Sequence, residues 1–336
     1  MLDSLPIAVA VLVGGALVLL TAGVKFTKVV DELADRTDVG EALAGAVLLG
    51  AATSMPGLIT TVTGALEGDA GFAMSNALGG IAAQTTFLVL ADTIYRSSNL
   101  EHAAASLPNI VSAALLTAMV GAVLVAATGP ELDVLGVHPA TPVLVIIYLF
   151  GLRLVRSANA APMWSPEETE DTVEDEPDPE ASGAPLWHLW SWFGGLAAVV
   201  AVVGFAVGRS GLTLAAETGL TGSVVGALFT SVVTSLPELV TVLTAVRIGA
   251  LTLAVSNIVG GNTFDVLFVA AADLAFRDGS VYHAAGAQAL FVSALTVVLT
   301  ALLIAGLLTR ERRGIGFEGV AILGTYAVGM AALVAL

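Results

Sequence analysis

Residues 53–96 and 234–277 are one segment written twice, 181 positions apart and aligned without a gap. The first copy reads TSMPGLITTVTGALEGDAGFAMSNALGGIAAQTTFLVLADTIYR and the second TSLPELVTVLTAVRIGALTLAVSNIVGGNTFDVLFVAAADLAFR. Both are largely apolar, and both interrupt their apolar runs at the same places, with Thr-Ser-x-Pro in one run and Ser-Asn-x-x-Gly-Gly in the next. A duplication of this kind forces the chain to fold as two copies of one unit packed together. Paired polar breaks in long apolar runs point to a binding site near the midplane of a membrane protein.

With 57% hydrophobic and 12% charged residues among 336, the chain falls outside the soluble globular class. Ten runs are long enough to cross a bilayer as helices: 5–29, 41–66, 70–94, 106–128, 140–157, 187–208, 219–246, 250–275, 284–308 and 314–336. Ten spans put Lys25, Lys28, Arg36, Arg96, Arg153, Arg156, Arg247, Arg310, Arg312 and Arg313 on one side and only Arg209 and Arg277 on the other. Basic residues in short loops stay cytoplasmic. Both termini are therefore expected outside, in a multi-pass protein of the plasma membrane. With five spans per half, the second copy enters from the opposite side. The expected fold is all-α, with two inverted five-helix repeats at 1–157 and 187–336 joined by an acidic cytoplasmic loop at 158–186.

Within that loop, PEETEDTVEDEPDPE at 166–180 has no apolar periodicity and is expected to be disordered. Its acidity continues at Asp31, Glu32, Asp35, Asp38 and Glu41, for a net charge of −16. Acidic, lysine-poor surfaces suit a salty cytoplasm, where screening suppresses repulsion between carboxylates, so a halophilic, haloarchaeal source is expected. The first run is read as a span and not a cleaved leader, because its lysines follow the apolar stretch. The absence of cysteine excludes disulfides and thiolate metal sites. His102, His138, His188 and His283 fall in loops or at span ends, and Trp187, Trp190 and Trp192 read as an interface anchor.

Pro56 and Pro237 sit mid-span, where each removes a backbone donor and frees the carbonyl four residues earlier, at Ala52 and Val233. Thr53, Ser54, Thr234 and Ser235 add hydroxyl oxygens beside those carbonyls. Each broken helix thus offers hard oxygen donors suited to Na+ or Ca2+. Glu238 follows Pro237, and Asp265 lies in the middle of the next span. An ionised carboxylate at membrane depth costs roughly 2.5–3.5 kcal/mol even on lenient scales. No Lys or Arg lies centrally in either span, which leaves a cation or a proton to compensate. Asn76, Gln84, Asn257 and Asn262 supply amide oxygens. Gly79-Gly80 and Gly260-Gly261 permit close helix approach. Asp92 with Arg96 and Asp273 with Arg277 read as helix-end ion pairs at i, i+4.

At these motifs the chain resembles the cation/Ca2+ antiporter superfamily and, within it, the prokaryotic Na+/Ca2+ exchanger membrane domain. TSLPEL at 234–239 and SNIVGGNTFD at 256–265 are close to that family's repeat signature. The resemblance implies that four bent spans form the ion site and that the first and sixth spans slide across them to alternate access. It also implies that Glu238 and Asp265 are the acidic ligands, with Thr53, Ser54, Thr234 and Ser235 as hydroxyl and carbonyl donors. The first repeat departs from the pattern. Gly57 stands where the family has glutamate, Gln84 matches Asp265, and Gly80 and Gly261 stand where the family has serine. Two carboxylates from one half leave a lopsided site, with a gap at Gly57 for water to fill. A weaker Ca2+ site, a changed cation or proton coupling through Glu238 are then the alternatives.

The expected function is secondary cation antiport, Ca2+ against Na+, in a lipid bilayer and with no cofactor or nucleic-acid partner. Exchange of Na+ or another cation for H+ on the same fold is the first alternative. A non-transporting membrane sensor or partner subunit is the second. No HExxH, Gly-x-Ser-x-Gly or P-loop pattern points to an enzyme.

Overall fold

The computed structural model describes residues 4–36, 53–95, 99–100, 104, 106–132, 134, 136–160, 185–248, 251–309 and 315–336. These residues are helical throughout apart from short connections. The first half contains α1 (Leu5–Arg36), α2 (Met55–Leu66), α3 (Ala70–Tyr95), α4 (Leu107–Thr128) and α5 (Ala140–Ala160). The second opens with α6 (Leu186–Thr218), α7 (Gly222–Val225), a π-helical turn at Gly226–Thr230 and α8 (Ser231–Thr234). It continues through α9 (Leu236–Ile248), α10 (Leu251–Asp265), α11 (Leu267–Ala275), α12 (Val281–Ala284), α13 (Gly286–Thr309) and α14 (Gly316–Ala335).

Among the described residues, eight helices are long and apolar enough to span a membrane, or nine if the pair bent by 44° around Ser235 is one span. The shorter α2 stands at the place of the second apolar run, whose earlier part lies outside the described residues. So do the acidic stretch 166–180, Arg96 and His102. The apolar runs located the helices well. α1 and α6 continue past the hydropathic ends, to Arg36 and Thr218.

Burial divides the molecule into two layers. In the spans of α3 and of α10 with α11, 72% of residues are buried, against 28% for those of α1 and α6. The two central spans are apolar all round because protein surrounds them. They carry most of one large core together with α4 and α13. α1 and α6 lie against each other as a separate layer. Leu19, Ala22 and Phe26 there meet Leu196 and Val200, and the Phe26 and Phe193 rings stand 5.3 Å apart.

Glycines set how that layer meets the core. A Cβ on Gly204 of α6 would lie 2.8 Å from the Pro56 carbonyl oxygen, and one on Gly23 of α1 would lie 3.0 Å from Pro237 Cβ. Gly23 and Gly204, like Pro56 and Pro237, are 181 apart. Each outer helix therefore rests a glycine on the opposite copy's helix-breaking proline. Gly79 meets the expectation of close approach as well, since a Cβ there would lie 2.7 Å from Ala227 Cα in the π-helical turn.

The helix-end aspartates hold backbone amides, and Arg96, the expected partner of Asp92, lies outside the described residues. Asp92 accepts from the backbone N–H of Leu100 at 2.6 Å, and Asp273 accepts from that of Val281 at 3.3 Å. Each holds the chain eight residues on. Asp273 also accepts from the His138 N–H at 2.9 Å and the Thr141 hydroxyl at 2.6 Å. Backbone donors and a hydroxyl thus occupy the carboxylate that the i, i+4 spacing assigned to Arg277.

Candidate functional site

Ser54 precedes α2, and Ser235 is the break between α8 and α9. Ser54 has φ −81°, ψ −3°, and Ser235 has φ −92°, ψ 5°. The two copies therefore break at equivalent residues with the same backbone geometry, close to the sparsely populated bridge region. The proline two residues later explains both, because it cannot donate to the preceding turn. The π-helical turn ahead of α8 adds a further irregularity to the second copy; such turns concentrate at functional sites.

The breaks converge on a cavity of about 10 Å³, the space one water-sized particle needs. Ser54, Gly57, Asn76, Gly80, Gln84, Thr234, Ser235, Glu238, Asp265 and Phe268 line it, with Ala77. Both repeats contribute. Glu238 is 1% exposed and Asp265 2%. The Ser54 hydroxyl donates to Glu238 Oε1 at 2.9 Å. Gln84 Nε2 donates to Asp265 Oδ2 at 2.8 Å and to the Ser235 hydroxyl at 3.2 Å. Thr53, fully buried, also engages Glu238.

One oxygen on each acid has a partner and the other has none. Glu238 Oε2, Asp265 Oδ1 and the Gln84 carbonyl oxygen are buried without a hydrogen bond. Among the described residues, neither carboxylate has a Lys or Arg partner, and no group of three His, Asp or Glu is placed to hold a metal ion. Buried acceptors of this kind are costly unless a cation or proton meets them. Three unpartnered oxygens around a space for one particle are a hard-cation donor set.

The remaining expected ligands divide. Thr234 lines the cavity and donates to the Ser231 carbonyl at 3.2 Å. Asn76 is fully used as a brace: its amide donates to the Gly57 carbonyl at 3.2 Å and to Thr61 at 2.9 Å, and accepts from Thr230 at 2.7 Å. Asn262 donates to Thr85 at 3.3 Å and to the Ile81 carbonyl at 3.5 Å, outside the cavity lining. Asn257 is buried with neither amide atom bonded and does not line the cavity. The Val233 side chain packs toward the α1/α6 layer, and Ala52 lies outside the described residues.

Sequence reasoning missed Phe268. Its ring Cε2 would lie 3.2 Å from a Cβ on Gly57. An aromatic ring therefore packs beside Gly57 on the wall of the cavity. Phe268 lies three residues after Asp265, on the same helix face, and that spacing was the available signal.

Residues 7–156 and 188–335 match the family model described as sodium/calcium exchanger protein. No match to the sequence was found among curated proteins. The fold is similar to solved structures of the sodium-calcium exchanger NCX_Mj. With the form soaked in 2.5 mM Na+ and 10 mM Sr2+ the TM-score is 0.64 at 18% identity, over 98% of this chain and 99% of that one. With the form soaked in zero Na+ and Ca2+ it is 0.63 at 18% identity, over 98% and 100%.

Proposed function

The chain belongs to the sodium/calcium exchanger family, and from that premise we propose that it is a secondary antiporter moving Ca2+ against Na+ by alternating access. It is a multi-pass membrane protein; we place both termini outside and the 158–186 loop in the cytoplasm. The observation that carries the reading is the pair of fully buried carboxylates, each with one unpartnered oxygen on a cavity shared by both repeats.

Glu238 and Asp265 bind the cation directly. Ser54 and Gln84 position them, each by holding the second oxygen of one carboxylate. Ser235 and Thr234 complete the wall with oxygen atoms. Coupling follows from charge. Two bare carboxylates sealed from water cost several kcal/mol each, so the loaded site can be occluded and the empty one resists occlusion. Each passage across the membrane then requires a cation, which makes transport an exchange. The α1/α6 layer, with Gly23 and Gly204 seated on the two prolines, is the part that slides.

Radiolabelled Ca2+ uptake into proteoliposomes, driven by an outward Na+ gradient at high salt, tests this. Gradient-dependent uptake is expected. Its absence, with a pH response to added Na+ instead, would establish cation/H+ exchange, the reading favoured by the neutral Gln84 beside Asp265. A protein whose melting temperature no cation moves would be a non-transporting relative.

A further inference from the structure

We propose that Asp92 and Glu318 form a proton-binding site, in which one proton bridges a carboxyl and a carboxylate between α3 and α14. The inference goes beyond the exchange reading and does not rest on it, because both acids lie outside the central cavity. Asp92 is 5% exposed and Glu318 is fully buried. Asp92 Oδ1 accepts from the Leu100 N–H at 2.6 Å, and Glu318 Oε1 accepts from the neighbouring Asn99 amide at 2.7 Å. One dipeptide thus holds one oxygen of each acid. The other oxygens, Asp92 Oδ2 and Glu318 Oε2, are buried without a hydrogen bond, and the two carboxyl groups lie within electrostatic reach of each other.

The fold builds a seat for this pair. Gly316 opens α14 with φ +66°, and a Cβ there or on Gly306 of α13 would strike the Glu318 side chain. Beside Glu318, a Cβ on Gly319 would lie 3.1 Å from Val89 Cγ1, so α14 is packed onto α3 one turn before Asp92. The second copy supplies the contrast. Asp273, the equivalent of Asp92, has its oxygens occupied by Val281, His138 and Thr141, and Val137 stands where the first copy is met by Glu318, 181 positions apart.

Charge and donor number choose the ligand. Two ionised carboxylates this close and closed to water repel, and one retained proton removes the repulsion and serves both bare oxygens. Ca2+ takes about six to eight oxygens, and only two are bare here. Of the packed elements, α13 carries no titratable residue, α3 brings Tyr95 and α14 brings Tyr326. Among the described residues neither acid has a Lys or Arg partner; Arg96, Glu101 and His102, and the charged residues at 310–313, lie outside them. Asp92 follows Gln84 by eight residues, about 12 Å along α3. The proton therefore fastens α14 to the helix that braces Asp265.

The test uses purified full-length protein in lipid nanodiscs. An amide can donate where the shared proton does, so Asp92→Asn and Glu318→Gln should each fold and melt at neutral pH no lower than wild type, whereas Asp92→Ala and Glu318→Ala should melt several degrees lower. The infrared carbonyl band of a protonated carboxylic acid, present in wild type at neutral pH, should lose intensity in both amide variants. The folded pair keeps a proton that the unfolded chain releases, so wild-type stability should decline as pH rises from mildly acidic to mildly alkaline. Each amide variant should lose that part of the decline.

Unchanged carbonyl bands in both amide variants overturn the proposal, as does a pH profile that both share with wild type. If an arginine of the adjoining connections supplies a counter-charge instead, both amide variants will melt lower at every pH or fail to fold, and the proposal fails. None of these outcomes bears on Ca2+ uptake, so failure here leaves the exchange reading standing.

Discussion

In the second copy Pro237 is followed by Glu238 and the next span carries Asp265; in the first copy the same positions hold Gly57 and Gln84. The backbones nevertheless match. Ser54 and Ser235 share one conformation, Asp92 and Asp273 each hold an amide eight residues on, and Gly204 and Gly23 rest on Pro56 and Pro237. Duplication here has kept the mechanical parts twofold while the charge has collected in one half. The geometry of breaks and bearings must be duplicated if the fold is to present one site to two sides. Ligand charge only has to sum correctly around the ion, so either half can supply it.

The comparison breaks most sharply at the acids. Glu238→Gln or Asp265→Asn leaves one charge where two were balanced. Removing one partner of a buried charge pair costs about 3–5 kcal/mol, which is more than about a hundredfold in affinity. Ca2+ uptake should fall to background and the Ca2+-dependent rise in melting temperature should vanish. Retained Ca2+ affinity in both variants would move the site elsewhere.

The bearings give a smaller and different effect. Gly204→Val puts a branched side chain where even a Cβ would lie 2.8 Å from the Pro56 carbonyl oxygen. Overpacking of this kind costs typically about 1–3 kcal/mol. The strain falls between the α1/α6 layer and the core, not on the ligands. Pro56 adjoins Gly57 of the cavity wall, so Ca2+ binding should weaken somewhat, while exchange rate drops far more. Gly23→Val should behave alike on Pro237. Equal loss of binding and transport in either variant would mean the outer layer is part of the ion site itself.

How far this was legible follows from contrast. Pro, Ser, Thr, Asn, Glu and Asp inside apolar runs stand out, so the duplication, the two breaks and both acids could be read directly. Phe268 could not, because a phenylalanine in an apolar helix carries no contrast, and its role depends on a glycine 211 positions earlier. The pairing of Asp273 with Arg277 was misread for a related reason. Local spacing on one helix suggested the partner, whereas the actual donors come from Val281, His138 and Thr141, which the fold brings in from elsewhere. Similarly, four amides looked equivalent by motif, yet only Gln84 both lines the cavity and touches an acid.

Asn76 and Asn257 sharpen this last point at the smallest scale. They are the same position in the two copies, and the difference lies in what faces them. Asn76 meets the Thr61 hydroxyl, whose equivalent 181 residues on is Val242, buried and unable to bond. Asn76→Ala removes three hydrogen bonds and strands the Thr61 hydroxyl, whereas the Gly57 carbonyl stays in the α2 helix and Thr230 retains a long 3.3 Å bond to Gly226. A stranded buried group costs about 1–3 kcal/mol. Asn257→Ala removes an amide that bonds nothing and should cost less than about 1 kcal/mol or stabilise slightly, since it relieves an unmet burial penalty. Melting temperatures of the two variants without Ca2+ should therefore fall for Asn76→Ala and hold or rise for Asn257→Ala. Equal losses would show that Asn257 has a bonded role that its sequence position shares with Asn76 after all.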